Sequence, residues 1–245
     1  MAAVEDTHWW YCALHVLIAD AIRSRSARGR TILDAGCGTG AVLAQLDHAG
    51  TSIGIDLSPD ALQFCQQRGL HALVRGDVNA LPFPADTFDI VISSSVLYHQ
   101  WVIDVGAAVR ELRRVLKPQG VLILNLPAYR FLHSAHDDAV LTARRFTKKE
   151  VRHLLSANGF TVRRLTYWTS LLLPAAIIGR TLGGSSSGRD FEAHAGDTLR
   201  NRVLSLVMAV ELAVLRRVSM PFGVAIFAVA ERTGGDASLP LDGHV

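Results

Sequence analysis

The chain has 245 residues with a net charge of +3, and 49% of them are hydrophobic, which suffices for one sizeable core and excludes a disordered chain. The charge is uneven, with 10 basic and 12 acidic side chains in residues 1–126 and 15 and 10 in residues 127–245. The basic half admits an anionic substrate or membrane surface, but its arginines are dispersed and lack interleaved aromatics, which argues against nucleic acid as a partner. Cys12, Cys37 and Cys65 form no C-x-x-C pair, which argues against a disulfide framework and a thiolate zinc site and leaves each expected as a small buried hydrophobe. Glu5 and Asp6 precede the first apolar run, no targeting segment is recognisable, and a cytoplasmic location is expected.

Residues 8–25 place Trp10, Leu14, Leu17, Ile18 and Ala21 at helical spacing, predicting an N-terminal helix outside any sheet. Thr31, Ile32 and Leu33 then read as a buried strand ending on Asp34, followed by Ala35, Gly36, Cys37, Gly38 and Gly40. Glycines at alternate positions give a turn that tolerates positive φ and the close approach of a ligand. A dinucleotide fold would show G-x-G-x-x-G, and the spacing here is D-x-G-x-G-x-G. After a short helix through Val42, Leu43 and Leu46 that Gly50 ends, residues 51–58 predict a second strand closing on Asp56 and Leu57. Asp56 lies near the offset at which a strand-end carboxylate reaches ribose hydroxyls in doubly wound nucleotide folds. Ser58 or Asp60, around Pro59, opens the next helix. A third short strand, about His71 to Arg75, delivers Asp77 and Val78, where Asp77 also suits a turn cap.

Pro82 and Pro84 break any helix before a buried strand over Phe88 to Ser93, whose end carries Ser93, Ser94, Ser95, Tyr98 and His99. Strand carboxyl ends in open α/β sheets face the ligand crevice, and the His99 imidazole suits a base near neutral pH. An amphipathic helix over Val105 to Leu116, the turn Lys117 to Gly120 and a fifth strand over Gly120 to Leu126 follow. Beyond Pro127 another carboxyl-end loop carries Tyr129, His133, His136, Asp137, Arg144 and Arg145. His136 with Asp137 is a second candidate base, and an arginine here suits an anionic group. No third ligand joins His133 and His136, so no metal is expected. Thr147 and Glu150 form a capping box for a helix that Gly159 ends. Strands are predicted over Phe160 to Tyr167 and Gly223 to Arg232. The fifty or so residues between them are too many for a loop and must hold structure of their own.

Within that insertion Leu171 to Ile178 is apolar, Gly183 to Gly188 is a flexible tract, and Leu199 to Leu215 is apolar almost all round. The last predicts a helix burying both faces, against its neighbour, in a homodimer through residues 199–218, or at a membrane surface. Residues 233–245 are expected to be a flexible tail.

Three segments, DAGCGTG at 34–40, the LPFP…FDIV…SVLYH run at 81–99 and LKPQGVLILNLP at 116–127, resemble the class I S-adenosylmethionine (SAM) dependent methyltransferases, the second being similar to the subgroup with ubiquinone and menaquinone C-methylating enzymes. The resemblance implies an α/β, Rossmann-like, seven-stranded, mostly parallel sheet with an antiparallel last strand and helices on both faces. It implies SAM held by Asp34, Ala35, Gly36, Cys37, Gly38, Gly40, Asp56, Leu57, Asp77, Val78, Ser93 and Ser94, with Asp77 and Val78 at the adenine. It implies methyl transfer to O or C of a small hydrophobic or lipid-like metabolite. His99 and His136 are the catalytic candidates, and Trp9, Trp10, Tyr98, Tyr129, Asp137 and Arg144 are expected to face substrate, those beyond Pro127 from their place on a carboxyl-end loop alone. The expected organisation is an N-terminal helical cap at 1–30, a SAM-binding domain at 31–169, a helical insertion at 170–220, a last core strand at 221–232 and a tail. The rival readings are a NAD(P)-dependent oxidoreductase, opposed by the glycine spacing, and a non-catalytic SAM-fold interaction module.

Overall fold

The computed structural model describes residues 5–23, 29–46, 50–182 and 198–234. The tract 183–188, most of the expected tail and the side chain of His136 lie outside what it describes. Helix α1 (Trp9–Arg23) precedes strand β1 (Arg30–Ala35), and α2 (Ala41–Ala44), β2 (Gly50–Asp56), α3 (Pro59–Gln67), β3 (Leu73–Arg75) and β4 (Phe88–Ser94) follow. Then come α4 (Val105–Val115), β5 (Leu116–Pro127), a 3-10 turn at Arg130–Leu132, α5 (Ala135–Ala139), α6 (Lys148–Ala157), β6 (Phe160–Trp168), α7 (Leu173–Leu182), α8 (Thr198–Leu215) and β7 (Ala225–Arg232).

The seven strands form one sheet in the order β3-β2-β1-β4-β5-β7-β6. Strands β1 to β5 are parallel, and β7 runs antiparallel to both β5 and β6. Strand order reverses between β1 and β4, so the carboxyl ends of β1, β2 and β4 open on one crevice. Side chains alternate across the sheet and divide the core in two. Ile32, Ile90, Ile92 and Ile123 pack with Leu17 and Ile18 of α1, Leu62 of α3 and Met208 of α8. On the opposite face Leu33, Val91, Leu122 and Leu124 pack with Val109 and Leu112 of α4 and Val151 and Leu155 of α6.

Local chemistry sets the helix starts. Ser58 Oγ accepts from the Ala61 N–H with Pro59 in the first turn, Asp104 accepts from the Ala107 N–H, and Thr147 and Glu150 close the expected capping box. Strand β5 begins at Leu116 rather than at Gly120, because the Lys117 to Gln119 turn is absorbed as an irregularity with Gln119 at φ 63°. Cys37 and Cys65 are buried as expected, but Cys12 is exposed.

The insertion helix narrows an expectation, since its second face is not buried against a neighbour within the chain. α8 buries one face only, through Met208, Leu212, Leu215 and Glu211, and leaves Leu199, Val203, Leu206, Val210 and Val214 exposed. Its apolar composition reflects two different surfaces rather than two buried faces. Among the described residues no helix is long and apolar enough to cross a membrane.

Candidate functional site

A cavity of about 1250 Å³ lies over the carboxyl ends of β1, β2 and β4. Asp34, Gly36, Cys37, Gly38, Asp56, Leu57, Asp77, Val78 and Ser94 all line it, so residues spread over sixty positions of sequence meet in one place.

The glycine turn is shaped by contact as well as by torsion. Gly36 has φ 88°, and a Cβ there would collide with Val96. Gly38 has φ 54° and donates its N–H to Asp56 Oδ2 at 2.8 Å, so the turn itself orients the ribose-candidate carboxylate. Asp56 Oδ1 accepts from the Ser58 N–H at 2.9 Å, and each carboxylate oxygen keeps a second lone pair for a diol. Asp77 Oδ1 accepts from the backbone and side-chain nitrogens of Asn79 at 2.9 and 2.7 Å, which makes it both the expected turn former and a lining residue.

Not every expected residue reaches the cavity. Ala35 and Ser93 are completely buried and absent from the lining, because strand alternation turns them toward the core. Gly40, also outside the lining, allows the close approach of Leu70 and Cys65 to the turn. Tyr129 sits beyond the wall, stacked between Phe131 and Tyr167 at 5.1 and 4.9 Å, with its hydroxyl pKa raised by burial and by Tyr167. Arg144 points elsewhere, and its neighbour Arg145 lines the cavity instead.

Arg145 is not an open anion site. Its Nε and Nη2 hold Asp137 Oδ1 and Oδ2, both at 2.9 Å, and its Nη1 donates to the Ala128 carbonyl. Asp137 also accepts from the Ser134 N–H and hydroxyl. Burial pushes the Asp137 carboxyl up, but Arg145 and Ser134 outweigh it and hold it below its ordinary value. The pair staples the loop after β5 and holds Asp137 against Arg145.

Among the described residues, three that line the cavity each hold a buried polar atom without a hydrogen-bond partner: Asp34 Oδ2, His99 Nδ1 and Thr169 Oγ1. Buried polar groups are rarely left so, and atoms of this kind facing a cavity are the groups a ligand satisfies. Asp34 is 2% exposed, and burial followed by the nearby Asp56 carboxylate pushes its pKa up to about 7. Such a carboxyl calls for a cation. SAM carries positive charge at its sulfonium and amino groups, beside a diol and an adenine, and the residues here fit it.

His99 is fixed by its strand-end loop. The backbones of Tyr98 and Gln100 bond to those of Ala143 and Leu141, and the ring stacks on Trp101 at 4.1 Å. Burial holds the imidazole below its ordinary value, partly opposed by backbone groups of Leu141, Val140 and Ser95. The ring is therefore neutral at pH 7.

The other end of the cavity is apolar. Trp9, Trp10, Leu14, Leu172, Ala176, Val224 and Ala225 line it. Trp10 stacks on the fully buried Trp168 at 5.3 Å, and Trp168 Nε1 donates to Asn125 Oδ1 at 3.0 Å. Asn125 in turn donates to Ser95 Oγ at 3.2 Å. Trp9 and Trp10 are thus both anchors of α1 and wall residues. The N-terminal cap is pinned at two places. Asp6 makes a two-pronged ion pair with Arg68 and Glu5 bonds to Thr39, while Asn201 holds the backbones of Thr7 and Trp9.

Sequence reasoning missed Glu5, Asn125, Thr169 and Leu172. Asn125 had a signal, a lone amide in the apolar run LILNLP. Thr169 had none, since its role depends on a backbone at φ 57° that only the tertiary structure imposes.

Residues 33–124 match the family model described as a methyltransferase domain. The malonyl-[acyl-carrier protein] O-methyltransferase of Enterobacter lignolyticus is 30% identical over 204 residues, covering 78% of this chain and 79% of that protein. The fatty-acid O-methyltransferase of Mycolicibacterium smegmatis is 36% identical over 104 residues, 39% of this chain and 36% of that protein. The chain spans about half the length of several curated relatives it matches, from 36% to 61%. The methyltransferase solved in complex with the Haloferax volcanii Trm112 activator superposes with a TM-score of 0.63 at 20% identity, covering 94% of this chain and 92% of that one.

Proposed function

The chain belongs to the class I SAM-dependent methyltransferase superfamily, and from that premise we propose that it methylates an oxygen or carbon of a small apolar, lipid-like acceptor. The observation that carries the reading is the lining of one cavity, which joins Asp34, whose Oδ2 has no partner among the described residues, Asp56 and Asp77 from the β1, β2 and β3 end of the sheet with the apolar Trp9, Trp10, Leu172 and Ala176. Relatives named for malonyl-[acyl-carrier protein] and fatty-acid methylation support an acyl-type acceptor.

When bound, SAM supplies an electrophilic methyl group on a sulfonium. The chain's own residues then have three tasks. Asp34 offers a carboxylate to the cationic part of the cofactor, Asp56 offers two lone pairs to its diol, and Asp77 with Val78 borders its base. The cap formed by α1 and α7 excludes water and holds the acceptor in line, which is the main requirement when the donor is already activated. His99 Nδ1, neutral and unpartnered, accepts the proton that an acceptor O–H or acidic C–H must lose. Thr169 Oγ1 and the Asn125 amide offer the polar contacts that orient the acceptor's head.

Incubating the full chain with SAM labelled in its methyl group, against fatty acids, acyl thioesters and prenylated quinols in parallel, tests the proposal by mass spectrometry. Label in at least one apolar acceptor, lost in the His99→Gln variant, is expected. Folded protein that binds SAM yet labels none of these acceptors would overturn it.

A further inference from the structure

Scattered exposed aliphatic side chains are ordinary on a protein surface, but a contiguous row of them marks an interaction site. Helix α8 and the turn after it carry such a row. Leu199 is 72% exposed, Val203 53%, Leu206 68%, Val210 54%, Val214 40% and Val218 57%, at steps of three and four residues that align them on one face. The opposite face is occupied by Met208, Leu212 and Leu215 in the core with α1, so the helix cannot roll to hide the row.

Exposed aliphatic side chains also occur on and just before α7. Glu211, fully buried, accepts from the Ser170 and Leu171 N–H groups at 2.9 and 3.0 Å, tying the start of α7 to the middle of α8. Leu171, Ile177 and Ile178 on this second element are also exposed, whereas Leu172 and Ala176 line the cavity. One helix thickness therefore separates the apolar chamber from the apolar exterior.

Charge decides what covers this face. From residue 198 to residue 220 the sequence holds Arg200, Arg202, Arg216 and Arg217; Arg216 is paired with Asp20 at 2.9 Å, and the stretch's one carboxylate, Glu211, is consumed inside. A second copy of the chain would bring arginines to arginines in either helix orientation, with no acid in the row to offset them. An anionic lipid surface meets both requirements, taking up the aliphatic row and attracting the arginines at its two ends.

We propose that the outer face of α8 docks the protein on anionic membrane surfaces, with α8 lying in the interface and not crossing it. The buried Glu211 and the 18-residue length of α8 agree with that orientation. The docking does not rest on the methyl-transfer reading, and vesicle binding is measured without SAM so that the two stand or fall separately.

The test is cosedimentation of the full chain with phosphatidylcholine vesicles, with and without phosphatidylglycerol, at low and high salt. Light scattering and a SAM titration on the same samples complete it. The wild type is expected to bind the anionic vesicles in a salt-sensitive way. Leu206→Glu with Val210→Glu is expected to weaken binding at least about tenfold, and Arg202→Glu with Arg217→Glu by at least about fivefold for each arginine removed. All variants should keep the wild-type SAM affinity, because none of these residues lines the cavity. Wild-type protein that ignores anionic vesicles at low salt, or a Leu206→Glu, Val210→Glu variant that binds them normally, overturns the proposal. So does a wild-type dimer without vesicle binding that the same substitutions convert to monomer, which would assign the face to a second copy.

Discussion

Asp34 gives the sharpest test, because its carboxyl is buried with Oδ2 unpartnered among the described residues. Its pKa is raised from 3.8 to about 7 by burial and then by Asp56. A carboxyl whose folded value exceeds its unfolded one holds extra protons in the folded state between the two, so stability falls as pH climbs through that window and stays low above it. A rise from 3.8 to about 7 corresponds to a cost of up to about 4 kcal/mol at pH 8. Asp34→Asn removes the charge but leaves a buried amide to be satisfied, at about 1–3 kcal/mol. The net expectation without ligand is a gain of about 1–3 kcal/mol at pH 8, or roughly 3–8 °C in Tm for a chain of this size. At pH 5, where Asp34 is already protonated, the gain vanishes. The same substitution should weaken SAM binding about thirtyfold or more, the loss expected when one partner of a buried charge pair is removed. Scanning calorimetry at the two pH values and titration calorimetry with SAM read both effects. An Asp34→Asn protein that melts below wild type at pH 8 without ligand, or that binds SAM normally, would refute the reasoning.

Three further outcomes follow from neighbouring groups. His99→Gln should lower kcat by about 10²- to 10⁴-fold with SAM affinity intact. The acid limb of the wild-type kcat/KM profile should lie below 6.5, since burial holds the imidazole down; an unchanged kcat in the variant removes His99 as the base. Arg145→Leu strands Asp137 as an unpaired buried charge and should cost about 3–5 kcal/mol in denaturant unfolding, largely restored by adding Asp137→Asn. Because Asp137 is held below its ordinary value, the contribution of this pair is present above pH 3.8 and is lost as the pH falls further. Thr169→Val should raise the acceptor KM about two- to tenfold through a lost hydrogen bond while leaving SAM binding alone, and an equal loss for both ligands would count against its assignment to the acceptor.

That Asp34, Asp56 and Asp77 meet at one rim was legible because they lie at or just beyond the ends of parallel strands, and a parallel sheet sends such termini to one side whatever lies between them. Gly36 and Gly38 announced a turn that a Cβ would spoil. The acceptor side was much less legible. Whether Arg144 or Arg145 reaches the cavity depends on one residue of loop register, which no periodicity fixes, and Tyr129 was turned away by stacking with Phe131 and Tyr167. Ser93 and Ser94 illustrate the same limit on a strand, where adjacent hydroxyls face opposite sides. The nearly uniform apolarity of α8 admits burial against a neighbour, in a homodimer or at a membrane surface. Composition cannot separate a face covered by the core from a face left exposed, and only the packing against α1 does so.

Equilibrium titration of SAM into wild-type protein and into an Asp56→Ala variant tests the central claim most directly. Saturable binding of one SAM per chain, competed by S-adenosylhomocysteine and strongly weakened in the variant, is the predicted result. No binding by well-folded wild-type protein, or binding that the variant leaves untouched, would contradict it.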